Sequence, residues 1–381
     1  MIMSTDRQNY NYLERFDYLS SIAIPENGVK LKNTGVYVRY YNFRSMPEGF
    51  ESKPEYVEDT ILHDDRVEEN FCFSYPVFMP ENNQSSDLIL LLHGLNERSW
   101  NKYLPWADYL CSKTQKAVVL FPIAYHINRS PSSWTNPRLL QKIIDLRRKL
   151  LGNDRSLSVA NVALSERLSQ NPGRFYESGR QSFADITDLI SGIKSGNHPA
   201  FEANARVDVF AYSVGALLSQ VLFLSNPHGL FSDANLYLFC GGSVFDRMYG
   251  QSRNIMDKFS FERLLSFYQT DEWRVEVADE IRNAFHAMIT VKNQQAKRHS
   301  FFQNMRNRLG GVSLALDKVI PYEGIVEALG HECASDKLML LDFPYEYSHE
   351  NPFPVRSSIP QNLINQSFLK VFDHSVNFFC R

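Results

Sequence analysis

A serine stands between two apolar runs of the sequence and is flanked by small residues. The stretch reads Val209-Phe-Ala-Tyr-Ser-Val-Gly-Ala-Leu-Leu218, and Gly215 follows Ser213 by two positions. The pattern predicts a strand, a tight turn and a helix, with Ser213 at the turn. A serine on such a turn can act as a nucleophile, and the amide of Val214 at the helix start can donate to an oxyanion. The alternative is an ordinary turn in which Ser213 only caps the helix.

The run Ala211-Tyr212-Ser213-Val214-Gly215 resembles the nucleophile elbow of the α/β-hydrolases, Gly-x-Ser-x-Gly. Ala211 replaces the first glycine of that motif and adds one methyl group. The resemblance implies an α/β-hydrolase fold, which is a mostly parallel sheet with helices on both faces. It covers about residues 36–125, 180–245 and 311–380.

The same resemblance extends to an apolar run that ends in His93-Gly94-Leu95-Asn96-Glu97. Members of the superfamily carry a His-Gly pair at this place. In that interpretation Gly94 lets the backbone approach the substrate, and the amide of Leu95 is the second oxyanion donor. His93 supports the loop and is not the base. Asn96 and Glu97 contact the substrate or brace the loop, and we favour bracing for both.

The superfamily order of triad residues is serine, then an acid, then histidine. Asp317, followed by Val-Ile-Pro, resembles the acid position after the seventh core strand of the superfamily. His349 lies beyond the last predicted strand, where family members carry the base. The resemblance therefore implies Ser213, Asp317 and His349 as a catalytic triad. A loop aspartate that caps a helix near Tyr322 is the alternative for Asp317.

Three further histidines compete for the role of base. His331 lies between the last two predicted strands and is the chief rival. His374 falls within the closing helix, off its buried stripe, and His126 ends the fourth predicted strand, where it can line a pocket. A lone histidine is more often structural than catalytic, so none of the three is preferred.

Apolar runs alternate with helical patterns along the chain, which predicts the α/β class. We predict strands over 36–43, 70–79, 87–93, 117–122, 207–210, 236–240, 312–316 and 337–343. We predict helices over 100–110, 139–151, 183–193, 216–224 and 368–379.

This division gives a core of 36–245 and 311–381, with a helical insertion at about 126–180. Residues 1–35 are expected to form a loosely attached extension, and 246–310 a helical cap. From Arg282 to Leu316 the sequence contains no acidic residue. The basic residues there either form a solvated helix face or bind an anionic partner.

Composition narrows the choice of function. The formal charge is −3, so the total charge predicts no binding to nucleic acid. The five cysteines are widely spaced, which indicates reduced thiols and a cytoplasmic location. No apolar run approaches the ~18 residues of a membrane span, and no metal or dinucleotide motif occurs. We expect neither a cofactor nor a metal ion.

The expectation from the resemblance is a serine hydrolase that cleaves an ester-like acyl bond of a small molecule through an acyl-enzyme. An acyltransferase would use the same residues with another acceptor. A non-catalytic binding protein on a hydrolase fold is the alternative from another class, because a fold does not fix a function.

Overall fold

One mixed sheet organises the part of the chain that the computed structural model describes, which is residues 10–46, 67–81, 84–152, 154–270, 273, 279–355 and 358–381. Its strands are β1 (Val29–Lys30), β2 (Tyr37–Arg44), β3 (Cys72–Met79), β4 (Ser85–Leu92), β5 (Ala117–Leu120), β6 (Phe201–Tyr212), β7 (Leu236–Phe239), β8 (Leu309–Leu314) and β9 (Leu338–Leu341). They lie in the order β1-β2-β3-β5-β4-β6-β7-β8-β9.

The strand directions agree with the apolar patterns in the sequence. β1, β2 and β3 pair antiparallel at one edge, whereas β4 to β9 are all parallel to one another. The leucine-rich end of β4, residues 88–92, is completely buried, as expected for a strand covered on both faces. The strand order and directions are those of the α/β-hydrolase fold, and the predicted fold class is confirmed.

Helices cover both faces of the sheet. They are α1 (Tyr12–Ser21), α2 (Glu68–Phe71), α3 (Leu104–Thr114), α4 (Pro137–Leu151), α5 (Val162–Gln170), α6 (Gly173–Lys194), α7 (Val214–Ser225), α8 (Lys258–Gln269), α9 (Glu280–Ala287), α10 (Gln295–Asn304), α11 (Tyr322–Leu329), α12 (His331–Lys337) and α13 (Gln361–Phe379). Within the described residues, none of them is long and apolar enough to cross a membrane.

The helix predicted over 183–193 starts earlier, at Gly173. Its first turns carry polar residues such as Glu177 and Arg180, so their apolar periodicity is weak. The boundary at residue 180 that the sequence suggested for the helical insertion therefore falls inside α6.

The expectation that the N-terminal segment is loosely attached is wrong for residues 10–35. Tyr12 of α1 is 1% exposed and stacks on Phe368 of α13, with ring centroids 4.6 Å apart. Arg15 forms a buried ion pair of 2.7 Å with Asp108 of α3, and Thr34 donates a hydrogen bond to the same carboxylate. These contacts could not be predicted because the partners lie far away in sequence.

The Arg15–Asp108 pair gives a test of this attachment. Arg15→Met would leave the carboxylate of Asp108 buried without its cation, so we expect the free energy of unfolding to fall by about 3–5 kcal/mol. Lys258→Met is the matched control, because the Lys258–Glu262 pair is exposed and should contribute less than about 1 kcal/mol. Urea unfolding measures both changes. Equal, small effects would mean that α1 does not contribute to global stability.

Candidate active site

Ser213 lies at a sharp turn between β6 and α7. Its backbone has φ 58° and ψ −123°, a conformation that a non-glycine residue rarely adopts. The turn depends on small neighbours. A Cβ atom added to Gly215 would lie 2.7 Å from the carbonyl oxygen of Leu92, and one added to Gly241 would lie 2.9 Å from the amide nitrogen of Ser213. The ends of β4, β6 and β7 therefore hold the turn in place.

Ser213, His349 and Asp317 form one chain of hydrogen bonds. The Oγ of Ser213 lies 2.7 Å from Nε2 of His349, and Nδ1 of His349 lies 2.7 Å from Oδ2 of Asp317. A carboxylate only accepts, so Nδ1 carries the proton and Nε2 is free to accept from the serine hydroxyl. All three residues are buried. The structure thus brings together the three residues that the sequence proposed as a triad.

The carboxylate of Asp317 is fixed by the turn that follows β8. Its Oδ1 accepts hydrogen bonds from the amides of Val319 and Ile320, at 2.9 and 2.8 Å. These bonds orient Oδ2 toward His349. Pro321 then caps α11, so the Val-Ile-Pro run serves the acid position as well as the start of the next helix.

Tyr212 holds the loop that carries His349. Its hydroxyl donates to the main-chain carbonyl of His349, and its ring lies nearly parallel to the imidazole, at a centroid distance of 5.5 Å. Burial raises the pKa of Tyr212 well above its usual value, so the hydroxyl remains a donor. Tyr212 therefore supports the loop and is not part of the hydrogen-bonded chain.

The loop after β4 lies against the serine. A Cβ on Gly94 would come within 3.3 Å of Cβ of Ser213, so the glycine permits this approach. His93 supports the loop through two hydrogen bonds. Its Nδ1 donates to the carbonyl of Gly94, and its Nε2 accepts from the amide of Ile123. Burial lowers the pKa of His93 well below its usual value, which keeps the ring neutral.

Two amides next to the serine turn are the ones that the sequence suggested as oxyanion donors. Val214 is the first residue of α7, so its N–H has no acceptor within the helix. No hydrogen bond among the described residues uses the amide of Leu95, whereas the amide of Gly94 donates to the Tyr103 hydroxyl at 3.0 Å. The amides of Leu95 and Val214 thus have no hydrogen-bond acceptor among the described residues.

Asn96 braces the loop, as we favoured. Its side-chain amide donates to the carbonyls of Ala160 in the insertion and Asn254 in the predicted cap, at 2.8 and 2.6 Å. Asn96 itself has φ 61°, which asparagine tolerates better than most residues. One side chain thus links three segments around the site.

A second brace contains Glu97, for which bracing was also favoured, together with Tyr103 and Lys102, which the sequence did not single out. Tyr103 accepts from Gly94 and donates to Glu97 at 2.7 Å, and Glu97 pairs with Lys102. Lys102 in turn donates to the carbonyl of Glu350, next to His349. This Tyr103–Glu97–Lys102 brace joins the loop after β4 to the loop that carries His349. Tyr103 and Lys102 form no motif, so only their position in the fold reveals them.

Cys240 was also missed as a neighbour of the site. It directly follows β7 and has φ 46°, and its thiol is buried near Asp317. Burial raises the pKa of this thiol well above its usual value, and the charge of Asp317 raises it further. Cys240 is therefore a protonated neighbour of the acid. Nothing in its spacing from the other cysteines signals this.

The competing histidines lie elsewhere. His331 starts α12 and is exposed, and His374 of α13 contacts the hydroxyl of Tyr237 at 2.8 Å. His126 is buried and lines a pocket, as the sequence suggested, but makes no hydrogen bond to Ser213. Among the histidines that the structure describes, only His349 forms a hydrogen bond with Ser213.

An open pocket of about 560 Å³ adjoins the two candidate oxyanion residues, and we call it the Leu95 pocket. Helix α6 contributes Phe175 and Tyr176, and α9 of the predicted cap contributes Ile281 and Phe285. The other lining residues include Leu95, Ile123, His126, Val214, Leu217, Leu218 and Val221. The wall is thus mainly apolar, with few polar groups.

Two basic residues of the run after Arg282 donate hydrogen bonds to main-chain carbonyls within the fold. Arg298 is 1% exposed, and its guanidinium donates to main-chain carbonyls around the end of α9 and of α11, including those of Ala287, Val291, Asn293, Glu327 and Ala328. Arg308 donates to the carbonyl of Ala234 at 2.6 Å. These two arginines stabilise the fold, which reduces the charge available to an anionic partner.

A family model described as a family of unknown function, DUF6051, matches residues 10–380. The chain belongs to this family. No curated protein matches it. No group of histidine, cysteine, aspartate or glutamate side chains able to hold a metal ion occurs in the described part of this DUF6051 protein.

Solved structures with some similarity to this DUF6051 protein include two esterases. A Pyrobaculum calidifontis esterase is 10% identical with a TM-score of 0.43, and 100% of this chain aligns with 94% of that one. A bacterial heroin esterase is 10% identical with a TM-score of 0.49, at 96% and 89% coverage. A Pyrococcus horikoshii acylaminoacyl peptidase is 12% identical with a TM-score of 0.42, at 90% and 41% coverage. Because the similarity to these structures is low, the fold is assigned from the strand order and not from them.

The close packing at the serine turn predicts an asymmetry between two glycines of this DUF6051 protein. Gly215→Ala should lower the free energy of unfolding by about 1–3 kcal/mol, since its methyl group would meet backbone carbonyls that cannot move aside. Gly192→Ala in α6 is the control, because nothing lies within 4 Å of its added Cβ. That change should raise stability by about 0.5–1 kcal/mol. Thermal unfolding measures the stability of both variants. A Gly215→Ala variant as stable as the wild type would contradict the turn described above.

Proposed function

We propose that this protein is a serine hydrolase that cleaves an ester-like acyl bond. The observation that supports the proposal is the continuous hydrogen-bonded chain from Ser213 through His349 to Asp317. A hydroxyl, an imidazole and a carboxylate in this order are the arrangement that activates a serine in unrelated folds. The buried imidazole of His349 lies within hydrogen-bond distance of the serine hydroxyl, and removal of the hydroxyl proton needs this contact.

The chemistry follows from the positions of the atoms. His349 Nε2 takes the proton from Ser213 as its Oγ bonds to the carbonyl carbon, and the carbonyl electrons move to an oxyanion. The amides of Leu95 and Val214 hold that oxyanion. When the bond to the leaving group breaks, His349 returns the proton to it, and an acyl-enzyme remains. Water then attacks the acyl-enzyme by the same route, with Asp317 orienting the imidazole throughout.

The Leu95 pocket suits the acyl part of the substrate. The leaving group must lie beside His349, because that residue protonates it. Neither His349 nor Asp317 belongs to the pocket wall, whereas Leu95 and Val214 do. We therefore assign this pocket to the acyl group and the opposite side to the leaving group. We also propose 246–310 as a cap over the site, since Ile281 and Phe285 come from it.

A fluorophosphonate probe tests the proposed nucleophile. The wild-type protein should form a covalent adduct at Ser213 and hydrolyse nitrophenyl butanoate. Ser213→Ala should lose the adduct, and both Ser213→Ala and His349→Ala should reduce kcat/KM by a factor of about 10⁴ or more. Mass spectrometry locates the adduct, and absorbance follows the nitrophenolate.

His374→Ala is the matched control, because this histidine lies on α13 and bonds to Tyr237. It should label and turn over much as the wild type does. If the wild-type protein neither labels nor hydrolyses, the non-catalytic binding protein becomes the better interpretation. If His331→Ala is the inactive variant, the assignment of the base is wrong.

A further inference from the structure

His126 carries a buried polar atom that nothing in the described structure satisfies. The residue lines the Leu95 pocket and also a second pocket, to which Trp134 and Arg167 contribute, and it is 6% exposed. Its Nε2 has no hydrogen-bond partner among the described residues. An unpaired buried acceptor costs about 1–3 kcal/mol, so its presence in a pocket wall calls for a partner from outside the chain.

The ring of His126 is held in one orientation. Its Nδ1 lies 2.8 Å from the carbonyl oxygen of Ala124, which also accepts from the hydroxyl of Ser178. The amide of Ala124 donates to the hydroxyl of Ser182 at 2.9 Å. Both hydroxyls belong to α6, so this helix fixes the peptide to which the ring is tied. The ring cannot turn to pair Nε2 without losing its bond to Ala124.

The backbone around His126 is strained. Tyr125 and Ile127, its two neighbours, have φ values of 64° and 52°. A β-branched residue such as Ile127 is a genuine outlier with positive φ, and such strain costs on the order of 1–3 kcal/mol at each position. Strained residues cluster where a side chain must be placed for function. Here the strain places one imidazole at the pocket wall.

His126 can act there only as an acceptor. The carbonyl of Ala124 cannot donate, so Nδ1 carries the ring proton. Burial, with smaller contributions from the charges of Arg167 and Arg129, lowers the pKa of His126 to about 4. The ring is therefore neutral near pH 7, and its Nε2 presents a lone pair.

We propose that Nε2 of His126 accepts a hydrogen bond from a hydroxyl or amide N–H group on the acyl part of the substrate. The inference rests on the proposed function and narrows the substrate class to acyl groups that are mainly apolar but carry one donor near the carbonyl. The apolar remainder of the wall, which includes Ile123, Leu217 and Phe285, favours the hydrocarbon part. A site built around one buried acceptor discriminates against an analogue that lacks the donor.

Matched esters test the inference. The probes are the nitrophenyl esters of butanoate, 2-hydroxybutanoate, 3-hydroxybutanoate and N-acetylglycine, each corrected for its rate of hydrolysis by hydroxide alone. For wild type, at least one donor-bearing ester should exceed butanoate in kcat/KM by about tenfold. His126→Asn can still donate to Ala124 but has no acceptor at the position of Nε2. In this variant the preference should fall about tenfold.

His374→Asn is the control and should keep the wild-type preference. A preference that survives His126→Asn, or a wild-type enzyme that prefers none of the donor-bearing esters, overturns the inference. The second result needs no variant, so it holds even if His126→Asn does not fold. If wild type hydrolyses butanoate without preference, only this inference fails. If it hydrolyses no ester and forms no fluorophosphonate adduct, the proposed function fails as well.

Discussion

The arrangement of the site depends on how closely three strand ends approach one another at Ser213. The serine can keep a positive φ only because the carbonyls of Leu92 and His93 pack on Gly215, while Gly241 packs on the serine backbone. Packing that is dense on every side overcomes a local strain that an isolated turn would relax. Once the backbone of the turn is fixed, the serine hydroxyl can reach a hydrogen-bond acceptor in only one direction.

The other parts of the site are fixed by hydrogen bonds to main-chain atoms. Asp317 is oriented by two amides of its own loop, and His349 is held through its carbonyl by Tyr212. The Tyr103–Glu97–Lys102 brace then ties the loop after β4 to the loop of His349. Because these bonds are buried or partly buried, each contributes to a defined spacing between the loops. The relative positions of Ser213, His349 and Asp317 thus depend on residues outside their hydrogen-bonded chain.

The Leu95 pocket combines segments that are distant in sequence. Helix α6 belongs to the long connection after β5, and α9 belongs to the segment between β7 and β8. Both segments follow parallel strands at their carboxyl ends, which is where sheets of this class form their binding sites. His126 adds a polar atom to a wall that is mainly apolar, and such sparse polar groups usually set the orientation of a ligand.

The sequence by itself predicted the fold class, the tight turn at Ser213 and the order in which Asp317 and His349 follow it. These features depend on local patterns: buried strands are apolar from end to end, and the turn needs small residues at fixed spacing. The beginning of α6 at Gly173, the packing of α1 and the roles of Tyr103 and Lys102 beside Glu97 could not be predicted. The packing of α1 and the link from Lys102 to Glu350 depend on partners far away along the chain, whereas the first turns of α6 have only a weak apolar periodicity. Residues such as Lys102 or Arg298 look like ordinary surface charges until the tertiary structure gives them partners. The unpaired Nε2 of His126 could not be predicted either, because only the folded chain shows which polar atoms are left without a partner.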